Sequence, residues 1–262
     1  MELDFFTLVQ EHAALFLLLL TRVSGLFMLA PFFGSLNIPI YFRVGAAVSI
    51  AVVLFPVVDG NQVITAPPTV IMYGISVLAE LFIGWLIGFV AYISFAAITM
   101  AGKVMDMQVG FAIVNVMDPT SGQQMPLIGS FLYNLSLIIF VVTNGHHVLL
   151  TALTESFNLV PILAINPNLS LTMLIANFTT GIFLTGMKIA MPVTFAILLT
   201  NVSLGILART MPQLNIFVVG LPLQLTIGML TLTMVVPFFI IYLGGMFDEM
   251  YAHILSALRM LQ

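Results

Sequence analysis

Residues 69–102 read TVIMYGISVLAELFIGWLIGFVAYISFAAITMAG, a run of 34 residues with one charged side chain, Glu80. A helix needs about 20 residues, at 1.5 Å each, to cross the hydrocarbon of a bilayer. Apolar residues on every face mark a helix with lipid or protein on all sides. The run therefore predicts a membrane helix that overshoots the bilayer and must tilt, bend or project from it. Five more apolar runs flank it, at Ala13–Ala30, Val44–Val58, Leu127–Leu150, Leu171–Leu207 and Leu214–Phe247. The last two, with 37 and 34 residues, are again too long, and Gly181, Gly186, Pro192, Gly205, Pro222 and Pro237 provide places to kink. The second, with 15 residues, is too short to cross comfortably. The expectation is an all-α integral membrane protein of about six long, kinked helices, in one membrane-embedded domain because no internal linker is rich in Ser or charge.

Composition agrees. Hydrophobic residues make up 61% of the 262 and charged ones 6%, against about 25% charged in a soluble domain, and the mean hydropathy is +1.20. A formal charge of −4 with no basic patch excludes nucleic-acid binding. Zero cysteines exclude disulfides and thiolate ligands. Glu2, Asp4 and Glu11 stand where a cleavable signal would need positive charge, so the first apolar segment is expected to be retained. Placing Arg43, Lys103 and Arg209 on the cytoplasmic side leaves the intervening connections, 59–68 and 155–167, without Lys or Arg. The N-terminus is then outside. Arg259 breaks the pattern, which leaves the side of the C-terminus open.

A charge inside hydrocarbon costs about 3 kcal/mol on insertion scales, so Arg22, Glu80 and Lys188 need partners. Glu80 heads a helix face continued by Gly84 and Gly88, where another backbone can approach and draw the carboxylate into a helix or subunit contact. A proton relay through Glu80 and Lys188 is the functional alternative; one isolated acid and one isolated base read better as structural partners.

Between Met105 and Gly129 the chain turns polar: MDMQVGFAIVNVMDPTSGQQMPLIG. Asp118-Pro119 favours a turn, Gly110 and Gly122 permit unusual dihedrals, and Gln108, Asn115, Gln123 and Gln124 supply uncharged donors and acceptors. Such a segment cannot face lipid and is tolerated at membrane depth only inside protein or beside water. It reads as a re-entrant or plugging loop. Five of the 17 methionines, Met100, Met105, Met107, Met117 and Met125, fall within residues 100–125. Flexible thioether side chains can seal a constriction and still deform around a passing chain, although core filling uses them equally.

Catalytic constellations do not surface. His146 and His147 are adjacent, so on a helix they diverge by about 100° and cannot share a metal as residues four apart do. HExxH, GxSxG, Walker and dinucleotide motifs are missing from the sequence. The expectation is a non-enzyme with no cofactor and no metal. A stand-alone secondary transporter with broken helices is the main rival, though no inverted repeat supports it.

The segments QVGFAIVNVMDPTSGQQMPLIG (108–129), NGHHVLLTALTESFNLVPI (144–162), LARTMPQLNIFVVGLPLQL (207–225) and RVSGLFMLAPFFGSLNIPIYFRVG (22–45) resemble the FliR family of flagellar export-gate proteins. The wider family includes the type III secretion homologues of the virulence branch. The likeness covers essentially the whole chain, in order. It implies a gate built with FliP and FliQ copies, associated with FlhB, through which unfolded flagellar subunits pass. It further implies a multi-pass protein of the bacterial inner membrane in the flagellar basal body, with the assembly raised towards the periplasm. Residues 1–165 would be FliP-like and 166–262 a FliQ-like hairpin with its tip near Arg209–Asn215. A plug would lie within 106–126, and the gate residues so assigned are Met105, Met107, Gln108, Gly110, Phe111, Asn115, Met117, Asp118, Pro119, Gly122, Gln123, Gln124, Met125 and Pro126. Arg22, Glu80, Gly84, Gly88, Lys103, Asp106, Lys188 and Arg209 are assigned to helix or subunit contacts.

Overall fold

The computed structural model describes residues 2–34, 38–59, 69–111, 126–163, 170–213 and 215–261. These form seven helices and, among the described residues, no strand: α1 (Glu2–Leu29), α2 (Ile40–Asp59), α3 (Val70–Val109), α4 (Leu127–Val142), α5 (Gly145–Leu159), α6 (Ser170–Thr210) and α7 (Ile216–Arg259). Five are long and apolar enough to cross a membrane, and α4 with α5 makes a sixth candidate as a broken span.

Three boundaries differ from the sequence reading. The second run is not short: α2 begins at Ile40, and with 20 residues it is long enough to span. Arg43 ends the apolar run, but a charge does not interrupt backbone hydrogen bonding, and the N–H groups of Phe42 and Arg43 both donate to Pro39 O. The fourth run is two helices. Thr143 turns its hydroxyl back onto Ile139 O, and Asn144 adopts left-handed dihedrals (φ 58°, ψ 27°), a conformation Asn tolerates at helix ends. Asn144 O then accepts from the N–H groups of His147 and Val148 and starts α5. The polar stretch, finally, does not leave the helix at Met105. Helix α3 continues through Lys103, Met105, Asp106, Met107 and Gln108 to Val109 and stops at Gly110, whose φ of +97° only glycine adopts readily.

The chain divides into two compact units that interleave along the sequence. One comprises Met1–Ile93, Asn144–Phe178 and Phe247–Gln262; the other comprises Ser94–Thr143 and Thr179–Met246.

In the first unit, α1 and the N-terminal half of α3 approach at backbone distance. A methyl group on Gly84 would overlap the carbonyl oxygen of Arg22, one on Gly25 would lie 2.5 Å from Leu81 O, and one on Gly88 would lie 2.9 Å from Leu26 O. Small residues four apart, Gly84 and Gly88, supply the close van der Waals packing that drives helix association where no hydrophobic effect operates. Leu18, Leu19, Val23, Leu26, Ile83 and Ile87 fill the surrounding core and are essentially inaccessible.

That close approach buries Arg22 and Glu80, 0% and 1% exposed. Arg22 Nε donates to Glu80 Oε2 at 2.5 Å, Nη1 to Ser156 Oγ at 3.2 Å and Nη2 to Val160 O at 3.0 Å. The guanidinium also lies over the ring of Phe157, 4.3 Å from its centroid, a favourable cation–π geometry. Helices α1, α3 and α5 are thus joined at one cation. Removing one partner of a buried pair leaves an uncompensated charge, at a cost of about 3–5 kcal/mol. Glu80→Ala should accordingly lower the thermal midpoint of the protein in detergent by several degrees and reduce its recovery, whereas the double replacement Arg22→Met with Glu80→Leu should recover most of the loss. A Glu80→Ala protein as stable as the wild type would refute the clamp.

Candidate functional site

The second unit holds both ends of the polar stretch. Asp106, on the last turns of α3, is 3% exposed. Its Oδ1 accepts the N–H of Ile128 at 2.9 Å and its Oδ2 the N–H of Gly129 at 3.1 Å. Those are the second and third residues of α4, whose own N-cap, Pro126, has no side chain able to accept a hydrogen bond. Asp106 therefore does from another helix what Ser, Asp or Asn ordinarily does from the N-cap position. Its charge also complements the positive end of the α4 dipole. Backbone proximity makes this reach possible, because a methyl on Gly102 would overlap the Cα of Gly129. Helix α7 closes the site from another side: Gly228 admits the side chain of Val109, and a methyl on Gly110 would lie 3.2 Å from the Leu221 side chain.

Beside this junction lies an apolar cavity of about 550 Å³, lined by Phe111, Leu127, Ile128 and Phe131 and by Met229, Leu232, Thr233, Val236 and Pro237 of α7. Phe111 precedes the polar stretch and Leu127 follows it, so the two ends share one apolar wall. Nearer the middle of the α6–α7 hairpin, Gln224 Nε2 donates to Asn201 Oδ1 at 2.5 Å, which cross-links the two helices.

Of the residues assigned from sequence, Met105 and Gly110 are buried, Phe111 and Pro126 half-buried, and Met107 and Gln108 exposed on α3. The structure thus puts Met105, Met107 and Gln108 on a helix rather than in a loop, because the backbone of α3 stays helical until the positive φ of Gly110. Asn115, Met117, Asp118, Pro119, Gly122, Gln123, Gln124 and Met125 lie outside the described residues. Lys103, Lys188 and Arg209 are exposed, Arg209 in the last turn of α6. Among the described residues the ion pair is Arg22 with Glu80, so Lys188 has no part in it. The rings of His146 and His147 lie edge to face with centroids 4.4 Å apart, and among the described residues no group of three His, Asp or Glu could share a metal. Sequence reasoning missed Ser156, Val160 and Phe157 around Arg22, the Gly102–Gly129 contact, and the Asn201–Gln224 bridge. The last had a signal, an amide in each of two long apolar runs.

Replacing Asp106 by Ala removes both acceptors from the start of α4, and loss of such a cap costs about 0.5–2 kcal/mol. Hydrogen exchange at the N–H groups of Ile128 and Gly129 should accelerate roughly in proportion, while the exchange of amides around Arg22 stays as it was. Protection at those two amides equal to the wild type would show that Asp106 does not hold α4.

With the geometry in place, comparison with known proteins assigns the chain. The model of the family described as bacterial export proteins, family 1, matches residues 13–250. The flagellar biosynthetic protein FliR of Bacillus subtilis (strain 168) is 36% identical over 223 residues, which cover 83% of this chain and 84% of that one. The protein of the same name from Pectobacterium carotovorum subsp. carotovorum is 33% identical over 88% of this chain and 87% of its own. That of Escherichia coli (strain K12) is 30% identical over 92% and 93%. A membrane-helical chain matched by one family model over almost its whole length, and by FliR proteins over nearly their full lengths, belongs to bacterial export protein family 1, the FliR family of flagellar biosynthetic proteins.

Proposed function

We propose that this chain is a core subunit of the flagellar type III export gate in the bacterial inner membrane, at the base of the flagellum. With FliP and FliQ copies, and with FlhB associated, it forms a gated conduit for unfolded flagellar proteins. Its residues 1–165 play the FliP-like part and 166–262 form a FliQ-like hairpin, in an assembly raised towards the periplasm. Within it, the region 106–126 is the element that blocks the channel at rest.

One observation carries this reading: Asp106 ties the two flanks of a segment too polar for lipid to a single point. Helix α3 enters that point from a candidate span. Residues 112–125, AIVNVMDPTSGQQM, therefore start and finish beside the same cavity and must be covered by protein or by water. The amides and hydroxyls of its sequence are able to pair without a fixed ion, and methionines can yield to a passing polypeptide. Such a conduit binds no substrate specifically. It needs a path that opens without leaking ions, and the coupling to energy lies in other components.

A stand-alone secondary transporter is the second reading, and the break between α4 and α5 at Asn144 is what favours it. Reconstituting the purified chain alone separates the two, since a transporter moves solute by itself and a gate subunit does not. The gate reading is tested in cells that express the complete gate. Deleting residues 122–125, or replacing Met117 and Met125 together by Gly, should raise small-ion leakage across the membrane; unchanged conductance would exclude the 106–126 region as the plug.

A further inference from the structure

Helices α6 and α7 leave between them an apolar groove of about 280 Å³ in the second unit, walled by Ile189 and Pro192 on one side and by Phe238, Phe239 and Tyr242 on the other. Lys188 is the one charged residue in its lining. It stands ten residues into the candidate span 178–210, roughly 15 Å along the helix at 1.5 Å per residue. It is exposed, and among the described residues no carboxylate pairs with it. Arg22 and Glu80 settle their charges on each other; Lys188 has no such partner among the described residues.

The surface around Lys188 is not a random apolar patch. Leu184, Met191, Phe195, Leu198 and Val202 are all exposed, and with Lys188 they recur at alternating steps of four and three residues. That spacing places them in one seam on α6, a pattern along which another helix can pack, with Phe183, Leu199, Ile206 and Leu207 exposed beside it. A single Lys within such a seam fixes register, because only one axial position of the neighbour brings its counter-charge opposite. The groove beside Lys188 is too small for a helix and large enough for a side chain, as a knob-into-hole contact requires.

We propose that this groove is a keyed docking site for an apolar transmembrane helix of another subunit, whose Asp or Glu side chain enters it and pairs with Lys188. The inference rests on the gate-subunit reading and adds to it the chemistry of one neighbour and the register at which that neighbour is held. An anionic lipid would also cover the apolar seam, but its headgroup would have to reach an ammonium ten residues inside the candidate span.

Co-expression with the proposed partner subunits, followed by mass measurement of the intact complex in detergent, tests it. Lys188→Arg should give recovery near the wild type, Lys188→Gln a several-fold loss, and Lys188→Glu a loss of about tenfold or more, corresponding to at least 1.4 kcal/mol of interface free energy. Changing the acids in the partners' membrane segments to Lys, one at a time, should yield one replacement that restores the Lys188→Glu complex. That rescue also shows that the variant folds. Full recovery of the Lys188→Glu complex overturns the proposal, as does loss of bound phospholipid from the Lys188→Gln complex with its subunit composition unchanged. Recovery of the wild-type chain only as a monomer overturns the gate reading itself.

Discussion

A guanidinium in a hydrocarbon medium has to be held by its neighbours, and in this protein that requirement organises the first unit. Arg22 engages a carboxylate, a hydroxyl, a carbonyl and an aromatic face on α3, α5 and the residue that follows α5. The contact with Glu80 is made where Gly25, Gly84 and Gly88 let the backbones of α1 and α3 come together. In water, such a buried pair would be poor evidence for stability, since apolar replacements often serve as well. In a bilayer the helices are already apolar and have little hydrophobic reason to associate. A charge that cannot be left unpaired then becomes a strong determinant of which helices must be neighbours.

The second unit uses the same chemistry for a different end. Among the described residues Asp106 pairs with no cation; it accepts from two backbone N–H groups at the start of α4. The first N–H groups of any helix lack intrahelical acceptors, and in an apolar setting no water replaces them. Because α4 begins after Pro126, which brings neither a donor nor a polar side chain, the acceptor has to come from elsewhere. By serving that need, Asp106 makes the end of α3 and the beginning of α4 one mechanical piece.

Fold class was legible from the sequence because lipid imposes it: apolar residues on every face over 34 or 37 positions admit no other element. The face formed by Glu80, Gly84 and Gly88 was legible too, since it needs only helical periodicity within one run. What escaped were contacts of long sequence separation. Ser156 and Val160 lie 134 and 138 residues from Arg22, and nothing local marks a serine in α5 as the acceptor for an arginine in α1. Helix ends escaped for another reason. Hydropathy stops a run at Arg43 or at Lys103, whereas the backbone stops at Pro39 and at Gly110, where a missing N–H and a positive φ intervene. Asn144 was overlooked because a single left-handed residue is enough to break a helix without changing the hydropathy around it.

These two rules, that charges must be matched and helix ends must be capped, give a way to ask where a membrane subunit is complete and where it is not. Arg22 and Glu80 pair with each other and Asp106 with two backbone N–H groups, all within the chain. Lys188 sits near the middle of α6, on a seam of exposed large side chains, with a groove open beside it. A cation left in that state by an otherwise economical chain is a demand on its surroundings. Among the candidates, only another polypeptide meets the charge, the groove and the spacing of the seam at once. On that argument the hairpin of α6 and α7 is half of an interface.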